Sequence, residues 1–207
     1  MNKYLLIFTI LFLFICNVCA QTNSIGIRDS RYLQYTYTIQ HHFPLTIEQS
    51  LFSDNFRLQH IRIMGGYQHS IPLSHNNRLN LNYSLYFGGL YNGNYQDYGL
   101  KINTQYYWSN LGLTLQGILN PHYDTSFYYT TCYSIGAQIK LNYYVSLFAH
   151  YTNIPEYRQI EERVKTGFQI QLFSSEDRCL TVRPHFAIPV HEPYQNTRLH
   201  VDFAYLF

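Results

Sequence analysis

Two histidines that stand beside acidic residues are the side chains in this sequence best suited to chemistry. His122 precedes Asp124 by two positions, and Glu192 directly follows His191. A histidine oriented by a carboxylate can polarise a water molecule and act as a general acid or base. The chain has 10 histidines, so two such pairs arise easily by accident. We take the four residues as the catalytic candidates, and we expect the protein not to be an enzyme.

The spacing of histidines and cysteines does not match a metal site. His41 and His42 are adjacent, and a strand would direct them to opposite faces. Cys132 and Cys179 are the only cysteines beyond the first 20 residues. We expect them to lie too far apart for a disulfide, because one falls in the outer half of its strand and the other at the opposite rim. The sequence therefore predicts neither a metal nor a cofactor.

The N-terminal segment, MNKYLLIFTILFLFICNVCAQ, has the layout of an export signal. Lys3 precedes an uncharged apolar run from Tyr4 to about Cys16, and the small residues that end at Ala20 follow. This order of a cation, an apolar run and small residues is typical of a secretory signal peptide. We predict a signal peptide at residues 1–20 and a single domain at residues 21–207.

The composition is unusual for a protein surrounded by water. Charged residues make up 13% of the chain and aromatic residues 18%, including 22 tyrosines, whereas an average soluble domain is about 25% charged. Beyond the signal, no apolar stretch is long enough for a transmembrane helix. The formal net charge is +2 and no basic run occurs, so we expect no nucleic-acid partner. These features favour a transmembrane β-barrel over a soluble β-sandwich or a lipocalin-like protein.

Apolar and polar residues alternate along nearly the whole chain, as in β-strands that have one apolar face and one polar face. In residues 78–88, for example, leucines and aromatic residues alternate with Asn80, Asn82 and Ser84. Ten such segments occur, at 31–43, 60–69, 78–88, 97–108, 111–119, 129–141, 145–151, 164–172, 179–190 and 198–207.

Long and short connections alternate between these segments, beginning with a long one at residues 44–55. This is typical of barrels with long outer loops and short periplasmic turns, and it requires an even number of strands. We predict an all-β, antiparallel up-and-down barrel of about ten strands, with eight or twelve also allowed. Pro184 and Pro189 make the segment 179–190 doubtful, because proline cannot donate to a sheet ladder.

The chain ends in the alternating segment RLHVDFAYLF, whose last residue is aromatic. In this it resembles the Gram-negative outer-membrane β-barrel proteins, many of which end in a strand that the insertion machinery reads. His200, Tyr205 and Phe207 match the pattern of that family, whereas Asp202 stands where the family prefers glycine.

The resemblance implies an outer-membrane location, contact with membrane lipid and lipopolysaccharide, recognition by the barrel-insertion machinery, and a monomer. For the barrel to close, we expect the segment 198–207 to pair with the segment 31–43.

The polar face of the predicted strands tends to be basic. We expect six basic residues to line the lumen, namely Arg62, Lys101, Lys140, Lys165, Arg183 and Arg198. We expect the acidic residues to collect mainly in the outer loops, at Glu48, Asp54, Asp124, Glu156, Glu161, Glu162 and Glu192.

A barrel of this size is nearly filled by its own side chains, so we expect a structural or surface-interaction protein that is not an enzyme. Two alternatives stay open. The first is a small pore with a weak preference for anions. The second is a hydrolase at the extracellular rim, similar to the omptin proteases or to the enzymes that modify lipid A.

Overall fold

The barrel is built from twelve antiparallel strands in a computed structural model that describes residues 22–51, 60–125, 129–154, 161–175, 178–191 and 196–207. The predicted signal peptide lies outside these residues. The strands are β1 (Thr22–Arg28), β2 (Tyr32–Ile39), β3 (Phe43–Ser50), β4 (His60–Ser74), β5 (Asn77–Leu90), β6 (Gln96–Trp108), β7 (Leu113–Asp124), β8 (Tyr129–Lys140), β9 (Val145–Thr152), β10 (Arg163–Ser174), β11 (Cys179–Pro189) and β12 (Arg198–Leu206).

Each strand pairs with its neighbours in sequence, and β12 closes the barrel on β1. A 3-10 turn at Ser109–Leu111 joins β6 to β7. Among the described residues, no helix is both long and apolar enough to cross a membrane. We call the rim that carries the connections 40–42, 75–76, 109–112 and 141–144 the turn rim, and the opposite rim the loop rim.

The outer surface of the barrel is apolar. Alternate side chains along the strands point away from the lumen, and Leu85 is 67% exposed although it lies in the middle of a paired strand. Other exposed outward side chains are Ile63, Phe87, Ile135, Phe168, Leu199 and Phe203. A soluble β-sandwich would bury this face in a core. An apolar surface that surrounds the whole wall fits lipid instead.

The predicted count of about ten strands was too low, although twelve was among the allowed numbers. The segment 31–43, predicted to be one strand, ends at Ile39, and β3 occupies most of the predicted long loop at residues 44–55. The strand β1 was also missed. The prediction that the segment 198–207 pairs with the segment 31–43 is therefore wrong, because β12 pairs with β1.

Both missed strands belong to hairpins whose turns carry no glycine. Asp29 and Ser30 have φ of 52° and 53°, and Gln40 and His41 have φ of 50° and 60°. A β-turn of the primed type needs positive φ at both central positions, which Asn-Gly or Gly-Gly normally supply. Here one further residue follows each such turn before the next strand begins. Without Asn-Gly or Gly-Gly the two turns resemble ordinary strand sequence, and the hairpins cannot be recognised from local pattern.

The left-handed conformation of His41 predicts that glycine at this position stabilises the barrel. Left-handed backbone costs a residue with a Cβ about 1 kcal/mol, so His41→Gly should raise the free energy of unfolding by about that amount. Denaturant unfolding in detergent micelles measures the change. His75→Gly, at a turn residue without positive φ, is the matched control and should give no gain. Equal effects of the two substitutions would contradict the prediction.

The segment 179–190, in doubt because of its prolines, forms the strand β11. Pro184 pairs with Val201 and Pro189 is the last residue of the strand. The register shift between β10 and β11 lies at the other end, between Gln171 and Phe173. Cys132 and Cys179 are both free thiols, so the prediction that they form no disulfide is confirmed.

Candidate functional site: the lumen

A chain of buried ion pairs crosses the loop half of the lumen. Arg28 donates from Nη2 to Glu48 Oε1 at 2.9 Å, and Arg62 Nη1 lies 3.6 Å from the same oxygen. Arg62 also donates from Nη2 to Asp97 Oδ2, and His60 Nε2 lies 3.2 Å from Asp97 Oδ1. Glu48 is 1% exposed and Asp97 0%. Every charged group in this series of ion pairs has a partner of opposite sign. The series therefore holds the strands together and leaves no charge available for a ligand.

Glu48 is the main correction to the predicted distribution of acidic residues. The sequence analysis placed it in an outer loop, but it lies on β3 and points into the lumen, where Gln34 Nε2 also donates to it. The error follows directly from the missed strand. Asp54, Glu156 and Glu192, which were also predicted to lie in outer loops, fall outside the described residues.

A second cluster surrounds Asp29 in the turn between β1 and β2. Lys165 Nζ donates to Asp29 Oδ1 at 2.6 Å, and Arg28 Nη1 donates to Oδ2 at 2.6 Å. The Asp29 backbone N–H donates to Asp202 Oδ1 at 2.6 Å. Burial alone would raise the pKa of Asp29, but Lys165 and Arg28 outweigh it and hold the pKa well below its usual range. Asp29 is therefore a fixed negative charge that ties β1 to β10 and β12.

Asp29, His185 and Asp202 are the one described group with the composition of a metal site. Their possible ligand atoms lie within 4.8 Å of one another, and His185 Nε2 is 3.6 Å from Asp29 Oδ1. Both carboxylate oxygens of Asp29 are already taken, however, by Lys165 and Arg28. A metal ion would have to displace an ammonium group and remain beside a guanidinium. The residues therefore fit a metal poorly.

Two cations between these clusters, Lys101 and Arg183, form no ion pair within the described part of the chain. Among the described residues, neither Lys101 nor Arg183 has a carboxylate within 4.0 Å, and the Arg183 guanidinium instead lies 4.3 Å from the centre of the Phe148 ring. Both line a cavity of about 270 Å³ between the two ion-pair clusters, which we call the charged cavity. The charged residues that line this cavity are five basic (Arg28, Arg62, Lys101, Lys165 and Arg183) and three acidic (Asp29, Glu48 and Asp202).

Adjoining cavities continue from this point toward the turn rim. A second cavity of about 270 Å³ shares Gln116, His150 and Arg183 with the charged one. It shares Tyr107 and Gln138, among others, with a cavity of about 640 Å³ at the turn rim. The intervening wall carries mainly amide and hydroxyl side chains. Three adjoining cavities therefore follow one another from the turn rim to the one that Lys101 and Arg183 line.

Solved structures of outer-membrane porins have the same architecture. The KdgM porin in complex with disordered oligogalacturonate aligns over 90% of this chain and 98% of its own, with a TM-score of 0.55 and 9% identity. A second structure, of the KdgM porin, aligns over 90% of this chain and 96% of its own, with a TM-score of 0.51 and 10% identity. The chain has the fold of the Gram-negative outer-membrane β-barrels. The NanC porin is more distant, with a TM-score of 0.46, 10% identity, and coverage of 89% and 97%. No protein-family model and no curated protein sequence matches the chain.

Within this outer-membrane-type barrel, the catalytic candidates fall in two separate places. His122 is 2% exposed, with Nδ1 2.7 Å from the Tyr86 hydroxyl and Nε2 3.9 Å from Asp124 Oδ2. Its side chain is thus enclosed by protein groups, with little room for a water molecule. His191 is 80% exposed at the loop rim, with Nε2 3.8 Å from Glu162 Oε2, and Glu192 lies outside the described residues.

The six basic residues predicted to line the lumen lie at different heights along the barrel axis. The structure places Arg62, Lys101, Lys165 and Arg183 around the charged cavity. The other two lie near the ends of their strands: Lys140 at the turn rim, where it lines the large cavity, and Arg198 at the loop rim, where it is exposed. The sequence analysis missed Arg28 and Asp29, because β1 was not recognised and no local pattern marked them.

The C-terminal residues of the barrel lie on opposite faces of β12. His200 points into the lumen, with Nδ1 2.7 Å from the Asp29 carbonyl oxygen. Tyr205 and Phe207 stack with their ring centres 5.6 Å apart. Phe207 and Asn23 exchange two backbone hydrogen bonds of 2.9 Å. The C-terminal residue therefore belongs to the seam that closes the barrel.

Proposed function

We propose that this protein is a narrow outer-membrane channel that conducts small anions in preference to cations. The observation that carries the proposal is the position of Lys101 and Arg183, two cations that form no ion pair among the described residues and that line the innermost of three adjoining cavities. Fixed positive charge in a narrow lumen attracts anions and repels cations. The paired clusters contribute little to this field, because their charges largely cancel.

The surroundings proposed for the channel follow from its outer surface. The apolar wall would contact outer-membrane lipid and lipopolysaccharide, and the barrel would act as a monomer after insertion by the barrel-insertion machinery. The barrel closes on itself through β1 and β12, so no second subunit is needed to complete the lumen.

Ion selectivity in planar bilayers tests the proposal. Under a potassium chloride gradient, the reversal potential of the wild-type barrel should indicate chloride preference, and the double variant Lys101→Gln/Arg183→Gln should lose most of it. Asp202→Asn keeps an oxygen for the Asp29 N–H but removes a negative charge, so it should increase the preference for chloride. Arg198→Gln, at the exposed loop rim, is the control and should change little.

Two results would contradict the channel. One is the absence of conductance at all voltages from protein whose folding is verified by its heat-modifiable mobility on a gel. This would favour the alternative of a side-chain-filled structural barrel. The other is an unchanged reversal potential in the double variant, which would show that Lys101 and Arg183 do not set selectivity.

A further inference from the structure

The large cavity at the turn rim, which we call the vestibule, is a separate place from the charged cavity. Its volume is about 640 Å³, which is within the usual range for small-molecule sites, about 300–1,000 Å³. The residues that characterise it are Arg78, Tyr107, Trp108, Gln138, Lys140 and Tyr143. The remaining lining is rich in amides and hydroxyls, so a polar ligand would find donors and acceptors on several sides.

Two cations in the vestibule are held on tyrosine rings. The Arg78 guanidinium lies 4.4 Å from the centre of the Tyr107 ring, and the Lys140 ammonium lies 5.1 Å from that of Tyr143. A guanidinium stacked on a ring keeps the N–H groups along its edge available for a carboxylate. Among the described residues, neither cation has an ion-pair partner, and no carboxylate lines the vestibule.

The register of the sheet fixes the separation of the two strands that carry these cations. Arg78 pairs with Tyr107, Tyr107 with Thr114, and Thr114 with Gln138. Lys140 lies two residues beyond Gln138 on the same strand. Neighbouring strands are about 4.8 Å apart, so the backbones of β5 and β8 are separated by roughly 14 Å along the wall. Charges carried by strands this far apart suit an elongated ligand better than a single compact anion.

Backbone contacts hold the basic side of the vestibule in place. Gly112 has φ of 59°, its carbonyl accepts from the Lys140 N–H at 2.8 Å, and a Cβ on it would lie 2.8 Å from Lys140 Cβ. The Asn142 side-chain oxygen accepts from the backbone N–H groups of Tyr144 and Val145, each at 2.8 Å. The turn that carries Tyr143 is therefore fixed before any ligand arrives.

We propose that the vestibule binds an elongated solute with a carboxylate at each end, one carboxylate on Arg78 and the other on Lys140. The side chains between them would contact the middle of the ligand. The site uses neither Lys101 nor Arg183, and it needs no conduction through the lumen. It therefore goes beyond the proposed channel and can be tested independently of it.

Calorimetric titration of the detergent-solubilised barrel with suberate, a long dicarboxylate, tests the site. Wild type should bind suberate saturably and should bind the shorter succinate more weakly. Arg78→Gln and Lys140→Gln should each weaken suberate binding about tenfold, the effect of losing one charge-assisted hydrogen bond. Arg198→Gln, at the opposite rim, should bind as wild type does. Trp108 is the single tryptophan and lines the vestibule, so its fluorescence should change with the same binding curve.

Three results would overturn the site: no suberate binding by folded wild-type barrel, unchanged binding in both vestibule variants, or an equal loss in Arg198→Gln. Failure of the channel is a different result. Suberate binding by a barrel that conducts no ions would support the vestibule site and contradict the channel. Conduction by a barrel that does not bind suberate would support the channel and contradict the vestibule site.

Discussion

Replacing Gly26 with valine is expected to prevent stable closure of the barrel. Gly26 pairs with Ala204 across the seam between β1 and β12, where four residue pairs of the two strands are in register and Asn23 and Phe207 form a further pair. A Cβ on Gly26 would lie 2.5 Å from the Phe203 carbonyl oxygen. That atom belongs to the backbone and cannot rotate away, so the two strands would have to separate. We expect a loss of about 3 kcal/mol or more in the free energy of unfolding, at the upper end of overpacking effects.

Heat-modifiable mobility and denaturant unfolding in micelles measure this effect. The matched control is Gly117→Val, because a Cβ on Gly117 meets nothing within 4 Å. Valine favours strands, so propensity predicts no loss at either position. If Gly26→Val folds as stably as Gly117→Val, the close approach at the seam is not a constraint on the fold.

Arg62→Met is expected to destabilise the barrel by about 3–5 kcal/mol, the usual effect of removing one partner from a buried ion pair. Arg62 joins Glu48 to Asp97, and its guanidinium lies 4.8 Å from the centre of the Tyr86 ring. Methionine fills similar space, so the loss comes from the charge. Asp97, with 0% exposure, would then keep His60 as its one ionisable partner among the described residues.

Denaturant unfolding of the variant in micelles measures the loss. Adding Asp97→Asn to Arg62→Met removes the buried carboxylate charge that has lost its arginine partner, and it should recover part of the stability. Arg198→Met, at an exposed position, should change stability by less than about 0.5 kcal/mol. A loss of stability in Arg198→Met as large as that in Arg62→Met would indicate that removing any positive charge, rather than breaking the buried ion pair, destabilises the barrel.

The lumenal charges divide into two groups with different roles. The paired charges around Glu48 and Asp29 connect strands that are distant in sequence, and their fields largely cancel. The cations that form no ion pair among the described residues line cavities, Lys101 and Arg183 the charged cavity and Arg78 and Lys140 the vestibule. We expect substitutions in the first group to change stability mainly, and substitutions in the second group to change ion selectivity or ligand binding.

The face of each recognised strand was determined by the sequence alone. Alternation with a period of two is local, so it correctly directed Leu85 and Phe87 outward and Arg62 and Lys101 inward without knowledge of any partner strand. The low charge and high aromatic content likewise indicated lipid on one face. Neither prediction depends on the number of strands, because alternation is read from a few consecutive residues and composition from the whole chain.

Strand number, closure and the site were decided only by the tertiary structure. The turns at Asp29–Ser30 and Gln40–His41 adopt positive φ without glycine, and tertiary pairing of the flanking strands overrides the local preference. Asp29 meets Lys165 across 136 residues of sequence and Asp202 across 173. Such contacts depend on where the first and last strands meet when the barrel closes, and no local pattern contains that register.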